Sequence, residues 1–454
     1  VVITINKVQV IDAPCGAGKT SWAIQNINDN PDKKFIYCTP FLDEVDRLRK
    51  YCGNYERFAE PLPYVSTKID DFNSLLAKGK DVAVTHTTFL NATPETLDLI
   101  RVGNYVLIID EVLDVVEDFN KSQSVESSER QSMSSSDIKF LLDNDIIHIE
   151  RDNKVIWCGG EYGKDYKFSE VKRYAELGRL YCVGGKFLVT IFPPEIFNYF
   201  QSAYVLTYIF GGSTFKYYFD LFNIEYELKG ISYSEDIYSL VGYTADYDAN
   251  LRKNCKSLIN ICNNPKMNNY THRTALSKGW YDKTNNEEIK RLKANIFNFF
   301  RSLDNAKAKD EAIMWTCPIE YKEALKGQGY TMSRALTKDD RLLSKKERKK
   351  LEAKISCFVP CNAKSTNTYN KRWALAYCFN MFFNPMIKRF FTDNNAVRKQ
   401  KGLTEISPNE DLYALSCLIQ WVFRSRIRES KPIYIYIPCK RMRKLLIDWL
   451  DCKI

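Results

Sequence analysis

No stretch of this sequence approaches the roughly 18 consecutive apolar residues that a membrane-spanning helix needs. Its best run, Tyr105-Val-Leu-Ile-Ile109, has the length of a buried strand, so an integral membrane protein is excluded and no membrane partner is expected. The chain also lacks the charged-then-apolar-then-small opening of a secretory signal. Its 14 cysteines are scattered, which points to reduced thiols in a cytosolic compartment. Cys357 and Cys361 have no second pair beside them and His272 is isolated, which argues against a zinc site. With 19 Gly and 15 Pro the chain is neither collagen-like nor disordered, and it shows no internal repeat and no basic tail.

What is present is the balance of an ordinary folded protein, 45% hydrophobic and 27% charged. At about 150 residues per domain, 454 residues make two large domains or three smaller ones. The net charge of +10, from 66 Lys+Arg against 56 Asp+Glu, favours a polyanionic partner without identifying one.

Val8–Ile11 is a short apolar run, followed by Asp12-Ala-Pro-Cys-Gly-Ala-Gly-Lys-Thr20 and a helix-like stretch from Ser21 to Ile27. The order is strand, glycine-rich turn, helix. Lys33–Cys38 reads as a second strand, after which Thr39 and Pro40 supply an N-cap and a first-turn proline for a helix over Phe41–Tyr51. Asp81–Val84 and Tyr105–Ile109 read as further strands. Strands alternating with helices, with both sheet faces apolar, imply a doubly wound parallel sheet.

Between Asn120 and Ser136 the composition turns to Ser, Gln and charge, as in an exposed loop. Ile146–Trp157 and Arg179–Ile191 each read as a pair of strands, about Asp152-Asn153 and Gly184-Gly185. Ala203–Thr207 reads as a strand returning to the first sheet. From about residue 230 the pattern repeats more loosely, with strand candidates Ala312–Thr316, Ile355–Val359 and Ile433–Ile437 and helical stretches Asn285–Leu303 and Asp411–Arg424. A second α/β domain is therefore expected. The run Lys338–Lys354, dense in both signs of charge, reads as a solvated helix, with a nucleic-acid contact as the alternative.

Gly16-Ala-Gly-Lys-Thr20 carries the strongest chemistry. A polyphosphate needs backbone N–H groups converging from an uncrowded turn, a helix N-terminus, a lysine for the β/γ-phosphates and a hydroxyl for Mg²⁺. Gly16, Ala17, Gly18, Lys19 and Thr20 supply these in order, with Ala13 where the strict pattern has Gly. Asp110-Glu111 follows an apolar strand, at the edge where open α/β sheets bind ligands. Asp110, with Thr20, would hold Mg²⁺ directly or through water, and Glu111 would orient and deprotonate an attacking water.

This combination resembles the superfamily 2 helicases and translocases. Tyr37-Cys-Thr-Pro40 resembles motif Ia, and Thr85-His-Thr-Thr88 a later strand-end motif, so the resemblance implies nucleic-acid contacts at Thr39, Thr87 and Thr88. His86 is read as a loop residue or a sensor. Leu206-Thr-Tyr-Ile-Phe210 stands where the motif coupling hydrolysis to movement is found, with Thr207 as its hydroxyl. Trp315-Thr-Cys317 sits at the place of motif IV, and Asn362-Ala-Lys-Ser-Thr-Asn367 at that of motif V, implying Thr366 and Asn367 at the nucleic acid. Gln420-Trp-Val-Phe-Arg424-Ser-Arg-Ile-Arg428 resembles the arginine-finger motif, with Phe423 replacing Gly. Gln420, Arg424 and Arg428 are its candidate catalytic residues, with Arg426 another way of matching the second arginine. The wording of motifs V and VI, with Tyr434–Pro438 after them, is similar to bacteriophage-encoded DNA helicases.

The resemblance implies an α/β fold of two RecA-like parallel-sheet domains in tandem. Residues 1–117 and 201–230 would form the first, 118–200 a small α+β insert and 231–454 the second. It implies ATP and Mg²⁺ between the lobes, and single-stranded or forked DNA as partner, with RNA open. Other replication or recombination proteins are further candidate partners, in the host cytoplasm if the chain is phage-encoded. The competing reading is a nucleic-acid-stimulated NTPase that remodels or packages DNA without separating strands; a P-loop kinase-like transferase is more distant. The insert is read either as a buttress or as an element that grips duplex or docks a partner, with Lys164, Lys167, Lys172 and Arg173 as candidate phosphate contacts.

Overall fold

The computed structural model describes residues 7–40, 42–53, 57–62, 67–122, 132–162, 168–244, 246–361 and 367–454. They form two compact units, one of residues through 13, 18–243 and 383–409, the other of 14–17, 244–382 and 410–454. No helix among the described residues is long and apolar enough to cross a membrane.

The first unit is built on an eight-stranded sheet. Its strands begin with Val8–Asp12 (β1), Lys34–Thr39 (β2), Phe58–Ala59 (β3), Asp81–Thr85 (β4) and Tyr105–Asp110 (β5). An insert follows with Val116–Asp118 (β6), Ile147–Ile149 (β7), Val155–Trp157 (β8), Leu180–Val183 (β9) and Phe187–Ile191 (β10). The chain returns to the main sheet as Ser202–Thr207 (β11) and closes it with Tyr226–Ser234 (β12) and Ile237–Gly242 (β13). The order is β13-β12-β1-β11-β5-β2-β4-β3, parallel except for the β12–β13 hairpin at one edge. Central strands carry apolar residues on both faces, and Phe35, Ile36, Leu107, Ile108 and Val205 are all fully buried, as a sheet covered on both sides requires.

The insert has its own core. Phe119, Ile138, Leu141, Val155, Val171 and Leu180 pack together beneath the β6-β10-β9 sheet and the β7-β8 hairpin. Both expected hairpins are present, as antiparallel β7-β8 and β9-β10. Of the candidate phosphate contacts, Lys172 donates to the Gly160 carbonyl (2.6 Å) and Arg173 pairs with Glu170 (2.8 Å). Lys164 and Lys167 lie outside the described residues.

Residues 383–409 depart from the expected division, which gave all of 231–454 to the second domain. The helix Pro385–Asp393 packs on the insert, with the Phe390 ring edge-on to Tyr181 at 5.6 Å. Both hairpin tips are held by one dipeptide. Gly184 N–H donates to the Asp393 carboxylate (3.1 Å), and Asn394 exchanges bonds with the Asn153 side chain (2.9 Å) and the Asp152 carbonyl (3.1 Å). Arg398 then reaches the Leu221 carbonyl at 3.2 Å.

The second unit holds a parallel sheet of Ile259–Ile261 (β14), Ile313–Thr316 (β15), Ala374–Tyr377 (β16) and Ile433–Tyr436 (β17), in the order β14-β17-β16-β15. Ile355–Val359 is not the full strand expected. The helix Lys345–Ile355 runs into its first residue, and Cys357 and Val359 then make only a bridge to the edge at Trp315. The charged run before it forms two short helices that are mostly exposed where described.

Candidate nucleotide-binding site

Register brings the motifs of the first unit to one sheet edge. Asp12 lies opposite Thr207, Leu206 opposite Asp110, Cys38 opposite Ile109 and Thr39 opposite Thr85, so the carboxyl ends of β1, β11, β5, β2 and β4 align. The loop after β1 turns through Gly16 (φ +87) and Gly18 (φ +94), left-handed conformations that favour glycine. Gly18 is the N-cap of the helix Lys19–Asn28 (α1). Ala13, where the strict pattern has Gly, is fully buried and its N–H donates to the Thr207 carbonyl at 2.9 Å. Its methyl is core, and its φ is not positive, so this position does not require glycine. The Lys19 ammonium donates to the Ala13 carbonyl, closing the loop on itself.

Thr20 Oγ1 stands 3.5 Å from Asp110 Oδ2, and the same oxygen accepts from the Tyr37 hydroxyl at 2.9 Å. His86 Nε2 donates to the Asp110 carbonyl at 2.9 Å, pinning β4 to β5. Burial, then the negative charge of Glu111, push the Asp110 carboxyl up from 3.8 to about 7, against the tyrosine hydrogen bond. The Tyr37 phenol is pushed well above its ordinary value by the same burial and by Asp110. Glu111 adopts φ +63 and is held there by its N–H bond to the Leu206 carbonyl at 3.0 Å. A left-handed non-glycine residue costs about 1–3 kcal/mol, a strain that collects at functional sites.

Thr20 and Asp110 present the hard oxygens that Mg²⁺ prefers. Among the described residues no cluster of three or more His, Cys, Asp or Glu could hold a metal ion. The pair therefore fits an ion that takes its remaining ligands from phosphate and water, as Mg²⁺ characteristically does.

Two residues of this site were not anticipated from sequence. Tyr37 is a hydroxyl in a buried central strand, and such a group usually finds a partner; Asp110 is that partner. Asp12 accepts from the N–H groups of Ile209 (2.7 Å) and Phe210 (3.0 Å), fixing the turn after Thr207. Ile209 takes φ +58 in that turn.

Several expected nucleic-acid contacts are placed elsewhere. Thr39 is fully buried, and its hydroxyl has no hydrogen-bond partner among the described residues. Thr88 is buried too, and its hydroxyl lies 3.0 Å from that of Thr85, which caps the helix His86–Leu90. Neither side chain is open to a nucleic-acid backbone in this conformation. Thr87 is exposed; Thr207 is buried at the end of β11. Thr366 lies outside the described residues, and Asn367 opens the short 3-10 turn Asn367–Tyr369.

In the second unit, the helix Glu410–Val422 carries Gln420, whose amide donates to Ser416 Oγ at 3.2 Å. Arg424 is buried, whereas Arg428 is exposed on the 3-10 turn Arg426–Glu429. Arg426 lies over the Trp373 ring at 5.2 Å and donates to the Pro432 carbonyl at 2.6 Å. Phe423, in the family's glycine position, is buried against Trp449. Trp421 is buried with its indole N–H on the Val359 carbonyl at 3.0 Å.

Over 458 aligned residues the chain is 33% identical to the SPbeta prophage-derived uncharacterized protein YonV of Bacillus subtilis (strain 168), covering 98% of this chain and 99% of that protein. The chain belongs to the YonV family. Residues 253–450 match the model of the YonV C-terminal Rossmann-like domain, in keeping with the parallel sheet of the second unit. Among solved structures, apo XPD aligns at a TM-score of 0.51 and 16% identity, over 98% of this chain and 95% of that one. S. tokodaii Xpd4 aligns at 0.45 and 12%, over 98% and 94%. The likeness to apo XPD establishes the fold: two RecA-like α/β domains in tandem, with an α+β element inserted in the first.

The raised Asp110 pKa gives this YonV-family site a testable pH signature. Without ligand, the folded carboxyl keeps its proton up to about pH 7, while the unfolded chain releases it near the ordinary 3.8. Its contribution to stability is whole below the unfolded value and is lost as pH rises through the folded one. Asp110→Asn removes the cost of ionisation. Thermal unfolding without nucleotide or divalent cation should show the variant gaining on the parent as pH rises from about 5 to about 8. A constant difference across that range would place Asp110 in a solvated setting.

Proposed function

We propose that this protein is an ATP-driven nucleic-acid helicase or translocase of the superfamily 2 type, acting on DNA in phage replication or recombination in the host cytoplasm. One observation carries the reading: Thr20 of the phosphate loop and Asp110 of the Asp-Glu pair meet at 3.5 Å on one sheet edge. The fold likeness to apo XPD supports it, and a prophage-derived relative supports the phage setting.

The residues divide the work as follows. Backbone N–H groups of the Gly16–Thr20 turn and the Lys19 ammonium bind the β- and γ-phosphates of ATP. Thr20 and Asp110 hold Mg²⁺, which when bound neutralises charge on the phosphate oxygens. Glu111 accepts the proton of the attacking water. An arginine of the Arg424–Arg428 segment answers the charge that develops in the transition state. Asp12 ties the phosphate-loop strand to the turn after Thr207, a direct route by which a change at the loop reaches the coupling motif.

ATP turnover measured with single-stranded DNA, duplex DNA and RNA, beside unwinding of tailed and forked substrates, tests this. Turnover should rise on adding single-stranded DNA, and forked duplex should be separated. Stimulated turnover without strand separation would favour the remodelling NTPase. Turnover indifferent to every polymer would sink both readings.

A further inference from the structure

The β12–β13 hairpin rests on the helix that follows the phosphate loop. The Gln25 side chain clasps Tyr238, donating to its carbonyl (3.0 Å) and accepting from its N–H (2.9 Å). The ring of Tyr238 leans on the loop itself: a Cβ on Gly18 would stand 2.2 Å from its Cε1. Positions 18, 22 and 25 share a helical face, so Tyr238 covers that face from the loop into the second turn of α1.

Tyr233 lies directly across the hairpin from Tyr238, and the two rings are 4.5 Å apart, tilted by 35°. The outer ring is 56% exposed. Its hydroxyl donates to Asp236 at 2.7 Å, which fixes the ring's orientation at the surface. The two-residue turn at the tip is Glu235-Asp236, both with positive φ (+51 and +61), where such turns ordinarily use Asn or Gly. A rigid aromatic step thus stands beside the phosphate loop, edged by two carboxylates.

We propose that Tyr233 and Tyr238 form the base platform of the nucleotide site, the nucleobase stacking on the tyrosine pair while the triphosphate lies on the loop. The proposal rests on the nucleotide-binding reading above. A ring fixed before binding loses little freedom when it stacks, and any base offers it a π-face. The acidic tip decides between a nucleotide and a nucleic-acid strand as occupant. Glu235 and Asp236 repel a phosphodiester backbone, yet accept hydrogen bonds from ribose hydroxyls or an exocyclic amine.

Calorimetric titration of the full chain with Mg²⁺ and either ATP or inorganic tripolyphosphate separates base from phosphate. Tyr233→Ala, at an exposed position away from the loop, should weaken ATP binding about tenfold and leave tripolyphosphate binding unchanged within twofold. Tyr233→Phe, which keeps the ring, should bind ATP like the parent. Equal losses for both ligands in Tyr233→Ala would make the hairpin a structural prop, and an unchanged ATP affinity would remove the platform; either result overturns the proposal. If the parent chain binds neither ligand, the nucleotide-binding reading falls and takes the platform with it. Parental binding of both ligands with no ATP-specific loss in the variant overturns the platform alone.

Discussion

Arg428→Ala is expected to lower nucleic-acid-stimulated ATP turnover on the order of a thousandfold while leaving ATP affinity and the melting temperature close to the parent's. Its side chain is exposed on the Arg426–Glu429 turn, so truncation removes little packing. Arg424 presents the opposite case. Buried at the end of the arginine helix, it should respond to Ala mainly through stability, with a melting temperature lower by several degrees, roughly what 1–3 kcal/mol gives in a large domain. Arg426 is committed to Trp373 and Pro432, which leaves Arg428 as the arginine best suited to reach a ligand. Steady-state rates together with thermal unfolding of both variants decide it. Turnover within a few-fold of the parent in Arg428→Ala would make the segment a structural helix end and withdraw the finger.

What was legible in the sequence was what local pattern encodes. The phosphate loop needs its residues contiguous, so Gly16 to Thr20 could be read directly, and β5 ending in Asp110-Glu111 announced a sheet edge. Both insert hairpins were visible as alternating runs about turn residues. Contacts between distant segments were not. Nothing local in Asp393-Asn394 says that it grips turns some 200 residues earlier in the chain, so 383–409 was assigned to the wrong unit. β16 was missed for a different reason: Ala374-Leu-Ala-Tyr377 has weak intrinsic strand preference and is made a strand by its two parallel neighbours. Thr39 and Thr88 show the limit of motif transfer. Residue type matched the family pattern, but burial, which depends on the neighbouring strands, closes both side chains off.

Glu111→Gln should separate binding from chemistry in the opposite sense to Asp110→Asn. The amide keeps the size of the side chain, and the left-handed backbone at φ +63 costs glutamine about what it costs glutamate, so the melting temperature should hardly move. Turnover should fall by roughly a hundred- to ten-thousandfold, the range that loss of a general base produces. Binding should not fall with it. The charge of Glu111 is the second cause, after burial, of the raised Asp110 pKa, and removing it lets Asp110 ionise at lower pH. Because Mg²⁺ competes with the proton for that carboxylate, Mg²⁺-dependent ATP affinity of Glu111→Gln near pH 6.5 should equal or exceed the parent's. Asp110→Asn, which removes the ionisable oxygen itself, should lose that affinity at every pH. Titration calorimetry at about pH 6.5 and 8, paired with single-turnover hydrolysis, reads both effects. Near-parental hydrolysis by Glu111→Gln would take the base role away from Glu111, and a loss of Mg²⁺·ATP affinity as deep as that of Asp110→Asn would make it a metal ligand.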